Sequence, residues 1–144
     1  MSLFSLLSVS ASGMAAQRTR AELLVENLAN AETTRTPEGG PYRRKDAVFA
    51  VDGAPSPFAS VFQSVSGAPD GVKVEEIVVD TREPERRYLP GHPDADGEGY
   101  VAFPRVNAAE DMVDLMGASR GYHANVSAMS AVKEMIHRSI DLLR

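Results

Sequence analysis

The sequence has no cysteine and no tryptophan, and its aromatic residues amount to only 6% of 144 positions. Without cysteine, the chain cannot form disulfide bonds, thiolate nucleophiles or cysteine-ligated zinc and iron–sulfur sites. The shortage of aromatic side chains argues against a large core, although the 43% of hydrophobic residues can support a small one. The sequence therefore indicates one ordinary domain, or a small domain with extensions.

Positive charge and long apolar runs are also scarce. The formal net charge is −5 and the isoelectric point is about 5.2, so the chain lacks the basic face that binds nucleic acid or anionic lipid. No segment approaches the roughly 20 apolar residues that span a bilayer, so direct membrane insertion is not expected. The first basic side chain is Arg18, and serines interrupt the apolar N-terminal run. Both features disfavour a cleaved signal peptide.

Known catalytic and metal-binding motifs are missing. The sequence contains no G-x-S-x-G motif, no P-loop and no glycine-rich dinucleotide fingerprint. The segment Asp94-Ala95-Asp96-Gly97 resembles the start of a calcium loop, but it lacks the later oxygen ligands and the closing glutamate. The sequence therefore predicts a protein that is not an enzyme and that binds no cofactor or metal ion.

Both ends of the chain carry an apolar stripe with alternating spacings of three and four, which is typical of coiled-coil helices. Asn107, followed by Glu110, resembles a capping box, so the second helix is predicted to begin near Ala108. Asn27 and Asn30 either cap the end of the first helix or bridge neighbouring subunits. The predicted assembly interface consists of Leu7, Met14, Ala21, Val25, Asn27, Leu28, Asn30, Met112, Leu115, Tyr122, Val126, Met129, Ile136 and Ile140.

Between the stripes, prolines and glycines concentrate and short β-type runs appear. We predict strands at 47–51, 60–65, 72–79 and 100–103. The predicted organisation is an N-terminal coiled-coil helix over 1–32, a loop-rich β insertion over 33–106 and a C-terminal coiled-coil helix over 107–144. The fold class is mainly α with a small β insertion. The fold of residues 51–71 is left open.

The middle segment is too small to cover two helices of this length, so each helix must bury its stripe elsewhere. The stripes could pair within the chain as a hairpin or between subunits, and the pattern alone does not choose. The role of a basic cluster in the middle segment is also left open, because the cluster could belong to a solvated loop or bind carboxylates of a neighbouring subunit. This cluster comprises Arg35, Arg43, Arg44 and Lys45.

Several segments carry a resemblance to a known family. Asn27-Leu28-Ala29-Asn30-Ala31 resembles the N-terminal signature of flagellar rod and hook axial proteins, and the segment TTRTPEGGPYRRK over 33–45 is more specific for proximal-rod members. Residues 99–102, 110–115 and 119–126 are similar to the same family. The resemblance covers residues 3 to 144, except about 51–71.

The resemblance implies a structural subunit of the flagellar basal-body rod, exported through the flagellar type III machinery without a cleaved signal peptide. Its terminal helices would form an inner layer and its middle segment an outer domain. Its partners would be other proximal and distal rod subunits and a FliE-type adaptor, and the rod would transmit torque across the periplasm. Two other functions stay open: a cytosolic coiled-coil adaptor or export chaperone, and a small periplasmic hydrolase. The TRTPEGGPYRRK loop disfavours an adaptor, and the lack of an acid–base motif disfavours a hydrolase.

Overall fold

The computed structural model describes residues 3–52 and 71–142. Helix α1 spans Leu3–Ala29 and helix α2 spans Ala108–Asp141. Between them lie strands β1 (Lys45–Asp52), β2 (Gly71–Val79), β3 (Glu85–Tyr88) and β4 (Tyr100–Phe103). The predicted fold class is confirmed, because two long terminal helices flank small antiparallel sheets.

The two helices pack against each other in antiparallel orientation. Gly13 of α1 faces Asn125 of α2, and Gly121 of α2 faces Gln17 of α1. At both glycines an added Cβ atom would lie 3.0–3.1 Å from the opposing side chain. The glycines therefore allow the two backbones to approach closely, with one amide side chain filling each space.

Local signals fix the start of α2. The Asn107 side chain accepts hydrogen bonds from the backbone N–H groups of Ala109 and Glu110 at 3.2 and 3.4 Å. These bonds satisfy donors that have no partner within the helix. The predicted start near Ala108 is confirmed.

Strands β1 and β2 form an antiparallel hairpin, with an irregular register between Val48 and Phe49. The hairpin lies along α1, where the Ser12 hydroxyl accepts a hydrogen bond from the N–H of Val72 at 3.0 Å. A Cβ atom at Gly71 would lie 2.7 Å from that hydroxyl oxygen, so this approach requires glycine. The strands predicted at 47–51 and 72–79 are confirmed, and the one at 60–65 lies outside the described residues.

Strands β3 and β4 form a second antiparallel pair. The strand predicted at 100–103 is confirmed as β4, but its partner β3 was not predicted. Val101 of β4 is almost completely buried, whereas Tyr88 and Tyr100 meet edge to face on the outer side, with ring centroids 5.4 Å apart. Gly99 adopts φ +84°, and a Cβ atom there would lie 2.9 Å from the Tyr88 ring.

Few apolar side chains are buried in the described residues. They are Ala16, Leu23, Leu24, Tyr42, Val101, Pro104, Ala118 and Val132. Most lie where α1 meets α2 or the β1–β2 hairpin, so the core is thin and centred on α1. None of the described helices combines the length and hydropathy needed to cross a membrane.

Candidate assembly interface

A buried asparagine fastens the end of α1 to the start of β1. Asn27 has no solvent-exposed surface. Its Nδ2 donates to the carbonyl of Lys45 at 2.9 Å, and its Oδ1 accepts from the N–H of Lys45 at 2.9 Å. The same Oδ1 accepts from the Tyr42 hydroxyl at 2.9 Å. Asn27 is therefore neither a simple helix cap nor an exposed bridge, the two alternatives that the sequence left open.

The Tyr42 hydroxyl lies in this buried network, close to the carboxylate of Glu26. Burial, together with the negative charge of Glu26, raises the pKa of Tyr42 from 10.0 to about 12. The folded protein therefore favours the neutral hydroxyl, which can donate its hydrogen bond to Asn27.

This raised pKa predicts a loss of stability at high pH. The contribution of the Tyr42 hydroxyl to the free energy of unfolding is complete below pH 10 and is lost as the pH rises from 10 to about 12. Tyr42→Phe should cost about 1 kcal/mol at pH 8, which is typical of one hydrogen bond. The difference in free energy of unfolding between the natural protein and Tyr42→Phe should shrink by pH 11. Urea unfolding would measure it, with a tyrosinate absorbance titration in parallel. An unchanged difference, or a Tyr42 titration near pH 10, would contradict this assignment.

A second buried contact joins β1 to the first turn of α2. Arg44 Nη2 lies 2.9 Å from Oδ1 of Asp111 and 3.3 Å from Oδ1 of Asp46. Asp111 is fully buried, and neither of its carboxylate oxygens accepts a hydrogen bond from the described residues. Burial raises the pKa of Asp111, while the positive charge of Arg44 opposes that shift. Arg44 is therefore the main compensation for a carboxylate held away from water.

The four basic residues predicted at the loop have different surroundings. Arg44 binds Asp111 as described, and Lys45 forms an ion pair with Glu26. Arg43 donates to the carbonyl of Asp80 at 3.1 Å. Arg35 is mostly exposed, and its nearest carboxylate is that of Asp94 at 3.9 Å. Arg35 and Arg43 thus keep more of their surface available, and a contact with a neighbouring subunit stays a prediction for the cluster.

The loop that carries this cluster has an exposed tip. Across the tip, the N–H of Thr36 donates to the carbonyl of Gly40 and the N–H of Gly39 donates to the carbonyl of Thr36. Gly39 and Gly40 have positive φ angles of 91° and 79°. Thr34 also donates to Asp94 at 2.7 Å, which ties the loop to the segment before β4. The tip is thus held in one shape by contacts within the chain.

The predicted stripe of α1 lies beside the surface that α1 buries. Val25 is half exposed, whereas the buried side chains Leu23 and Leu24 face the hairpin and α2. Four stripe residues are only partly buried: Leu7, Met14, Ala21 and Leu28. Asn30 is also partly buried, and its side chain donates to the carbonyl of Glu26 at 2.9 Å within its own turn.

The stripe of α2 is displaced in the same way. The buried residues of α2 are Asp111, Ala118 and Val132, and they lie on the same side of the helix as Gly121 and Asn125, which meet α1. At about 100° per residue, the centre of the predicted stripe lies about 60° away from that side. Leu115, Met129 and Ile136 are therefore partly buried. The other four stripe residues are exposed: Met112, Tyr122, Val126 and Ile140.

Both displaced stripes border the same groove. Ala21 of α1 and Leu115 and Tyr122 of α2 line a concavity of about 510 Å³ between the helices, which we call the helix groove. The rest of its lining, near the centre of the helix pair, consists of Gln17, Arg18, Ala118 and Ser119. The structure thus brings part of the two predicted seams together, but without another helix to cover them.

Residues 3–17 of α1 and 121–132 of α2 carry no charged side chain. We call these two segments the uncharged belt. Because burying an unpaired charge is unfavourable, segments without charged side chains can be covered by another helix without that cost. Among the described residues, no group of three or more His, Cys, Asp and Glu side chains could hold a metal ion.

Comparisons with known proteins point to one family. Residues 98–142 match the family model for the C-terminal part of flagellar basal body rod FlgEFG proteins. Over its full length, the chain is 39% identical to the flagellar basal-body rod protein FlgC of Borreliella burgdorferi, covering 99% of that protein. Across 99% of the chain, identity is 39% to FlgC of Salmonella typhimurium and 41% to FlgC of Bacillus subtilis, covering 98% and 99% of those proteins.

These similarities extend over the helices, the loop and the sheets alike. Identity of this level across whole chains exceeds what a shared fold alone would require, and it agrees with the resemblance carried by the TRTPEGGPYRRK segment. The chain belongs to the FlgC family of flagellar basal-body rod proteins and is a structural subunit of that rod.

Proposed function

We propose that this rod subunit polymerises through α1 and α2, which form the inner layer of the proximal rod, while the strands and loops form an outer domain. The observation that carries this proposal is the uncharged belt, together with the stripe residues that remain exposed. A single chain leaves Met112 and Val126 in water, although both belong to an apolar stripe. Burying such side chains contributes about 25 cal/mol per Å² of apolar surface. Assembly supplies the partner that covers them.

We further propose that the neighbours are proximal and distal rod subunits and a FliE-type adaptor, and that the subunit reaches them through the flagellar type III export machinery without a cleaved signal peptide. In the periplasm, the completed rod would transmit torque. Family membership supports this proposal, since a rod protein assembles with other rod proteins. It also favours a structural protein over the adaptor, chaperone and hydrolase alternatives.

An aspartate at an exposed stripe position tests assembly through the helices. Val126→Asp and Met112→Asp should leave the subunit folded, because both side chains already contact water. Both variants should abolish swimming and incorporation into purified basal bodies, because an unpaired charge would be buried in the interface. Swimming plates and immunoblots of basal bodies provide the measurements.

Ser139→Asp is the matched control. Ser139 is exposed, its hydroxyl donates to the carbonyl of Met135 in its own helix at 2.9 Å, and it lies beside Arg138, outside the uncharged belt. This variant should swim. Normal swimming by both stripe variants would overturn the proposed assembly mode, while circular dichroism of all three subunits verifies that they fold.

A further inference from the structure

We propose that the outer domains of two neighbouring copies of this chain share a β-sheet, in which the free edge of β2 from one copy pairs with the free edge of β3 from the other. The inference rests on the proposed function, because it adds a contact between subunits that the helices already hold together. The β2 edge consists of Ile77, Val78 and Val79, and the β3 edge consists of Arg86, Arg87 and Tyr88.

The β2 edge presents backbone groups that β1 does not use. The N–H and the carbonyl of Lys45 in β1 both bind Asn27 at 2.9 Å, so they point away from β2. Lys45 is opposite Val79, and two opposite residues of an antiparallel pair either bind each other or both point their backbone groups away. The groups of Val79 therefore point to the outer side of β2, as do those of Ile77 two residues earlier. Neither set has a hydrogen-bond partner among the described residues.

The β3 edge is open for the same reason. The N–H of Tyr100 donates to the Asp96 carboxylate at 2.8 Å, and its carbonyl accepts from the N–H of Asp96 at 2.8 Å. These groups of β4 point away from β3, so those of the opposite residue, Tyr88, point away from β4. The backbone groups of Arg86 point in the same direction, and all four residues of β3 are exposed.

The lengths of the two edges match. The register of β1 and β2 is irregular between Val48 and Phe49, so only a short regular part of β2 follows Glu76. Strand β3 has four residues. A contact of this size is weak by itself. It forms readily between two subunits that other contacts already hold at a high local concentration.

Antiparallel pairing brings complementary side chains together. With Ile77 opposite Tyr88 and Val79 opposite Arg86, each pair can exchange both of its backbone hydrogen bonds. The Tyr88 ring is 63% exposed in the single chain, and it would cover Ile77, which is 46% exposed. Opposite aromatic and β-branched side chains stabilise antiparallel strands.

Charge favours a second copy of this chain as the partner. Glu76 at the end of the β2 edge is exposed and has no ion pair among the described residues. In this register, Arg87 of the second copy lies diagonally across from Glu76 on the same face of the sheet, within reach of a long side chain. Asp80 would lie opposite Glu85, but each of these carboxylates already forms an ion pair with an arginine of its own copy.

A groove beside the β2 edge accommodates the other arginine. Val79 and the tip of the loop line a concavity of about 580 Å³, which we call the loop groove. Three charged residues of the loop groove have contacts within the chain: Glu26, Arg43 and Lys45. Glu38 also lines it but has no partner among the described residues, and the same is true of Arg86 on β3. Arg86 of the second copy, opposite Val79, would enter the loop groove and pair with Glu38.

Disulfide formation tests the pairing directly, because the natural chain contains no cysteine. In the proposed register, Val78 lies opposite Arg87 at a position without mutual backbone hydrogen bonds, where Cα atoms are about 4.5 Å apart. A disulfide bond can span that separation. Cells would produce Val78→Cys together with an epitope-tagged Arg87→Cys subunit. Mild oxidation of purified basal bodies should give a disulfide-linked product that contains both subunits.

Arg86→Cys replaces Arg87→Cys in the matched control, because adjacent residues of a strand project from opposite faces. This combination, and each cysteine variant alone, should give no product. The inference is overturned if Val78→Cys and Arg87→Cys subunits enter the rod without a linked product, or if a control gives as much of it. Cells that swim without the product would reject the shared sheet and leave assembly through the helices intact.

Charge reversal provides a second measurement that needs no cysteine. Glu38→Arg and Arg86→Glu should each reduce incorporation into basal bodies about fivefold, the effect of one surface charge interaction at the upper end of its usual range. Subunits that carry both substitutions should recover, because the exchanged charges attract each other again. Immunoblots of purified basal bodies measure incorporation, and circular dichroism verifies that each subunit folds.

Glu98→Arg combined with Arg86→Glu is the control for this rescue. Glu98 is exposed but does not line the loop groove. This combination should not restore incorporation. Failure of Glu38→Arg to rescue Arg86→Glu, or equal rescue by Glu98→Arg, contradicts the pairing of the two edges.

Discussion

Replacing Asn27 with leucine should lower the free energy of unfolding by about 3–5 kcal/mol, because each buried polar group left without a partner costs roughly 1–3 kcal/mol. The groups affected are the N–H and carbonyl of Lys45 and the hydroxyl of Tyr42. Leucine has the same number of side-chain heavy atoms and the same branching as asparagine, but it offers no polar atom to them. Urea unfolding followed by circular dichroism would measure the change.

Asn30→Leu is the matched control for this experiment. Asn30 lies one turn later and is only partly buried, and its side chain makes two local hydrogen bonds, to the carbonyl of Glu26 at 2.9 Å and from the Thr33 hydroxyl at 3.2 Å. Its replacement should cost about 1–2 kcal/mol, as expected for two local hydrogen bonds near the surface. Similar losses at both positions would show that the Asn27 network contributes no more than an ordinary helix-end contact.

Replacing Arg44 with methionine should destabilise the subunit by about 3–5 kcal/mol at pH 7, the usual cost of leaving one charge of a buried pair without its partner. Asp111 is fully buried and forms an ion pair with Arg44, so this variant would leave its carboxylate without a compensating cation. The variant should regain stability relative to the natural protein when the pH falls. A carboxyl group with a raised pKa favours folding when protonated, and this contribution is lost as the pH rises through that value.

Two variants separate the loss of the Arg44–Asp111 ion pair from the general effects of removing an arginine. Arg105→Met removes an exposed arginine that lines a neighbouring pocket, and it should change stability by no more than about 0.5 kcal/mol. Adding Asp111→Asn to Arg44→Met should recover part of the loss, since the buried charge is then gone. If this double variant were less stable than Arg44→Met alone, the proposed cause would be wrong.

The sequence predicted the elements whose signals are local. The start of α2 follows from Asn107 and the hydrogen bonds of its own side chain, so adjacent residues were enough to locate it. Strands β1, β2 and β4 were predicted from β-branched and aromatic runs between turn residues. Strand β3 has the sequence Glu-Arg-Arg-Tyr, and its conformation comes from pairing with β4, which no local pattern reports.

The rotation of each helix about its own axis, which decides the side that faces its neighbour, was harder to predict. A spacing of three and four identifies an apolar stripe, but it does not identify the neighbour that the stripe contacts. In this chain, Asp111 and Ala118 are buried, while Met112 and Val126 of the predicted stripe stay exposed. An apolar stripe that contacts both the other helix of its own subunit and a neighbouring subunit has the same spacing as a stripe that contacts only one of them.

The buried polar contacts could not be located from the sequence, because Asn27 and Asp111 have the composition of surface residues. Their partners Lys45 and Arg44 are 18 and 67 positions away along the chain. The one available signal was the basic segment 43–45 in an acidic protein, which left open whether these side chains bind carboxylates or face solvent. It did not indicate that such carboxylates lie within the same molecule.

The uncharged belt has a consequence for the medium in which the rod works. Dissolved ions weaken attraction between charged groups, and at physiological ionic strength this screening acts over about 8 Å. Contacts made by side chains without charge offer nothing for those ions to screen. A shaft joined through residues 3–17 and 121–132 would therefore hold equally well in dilute and in saline surroundings, whereas surface pairs such as Asp80 with Arg82 weaken as salt is added.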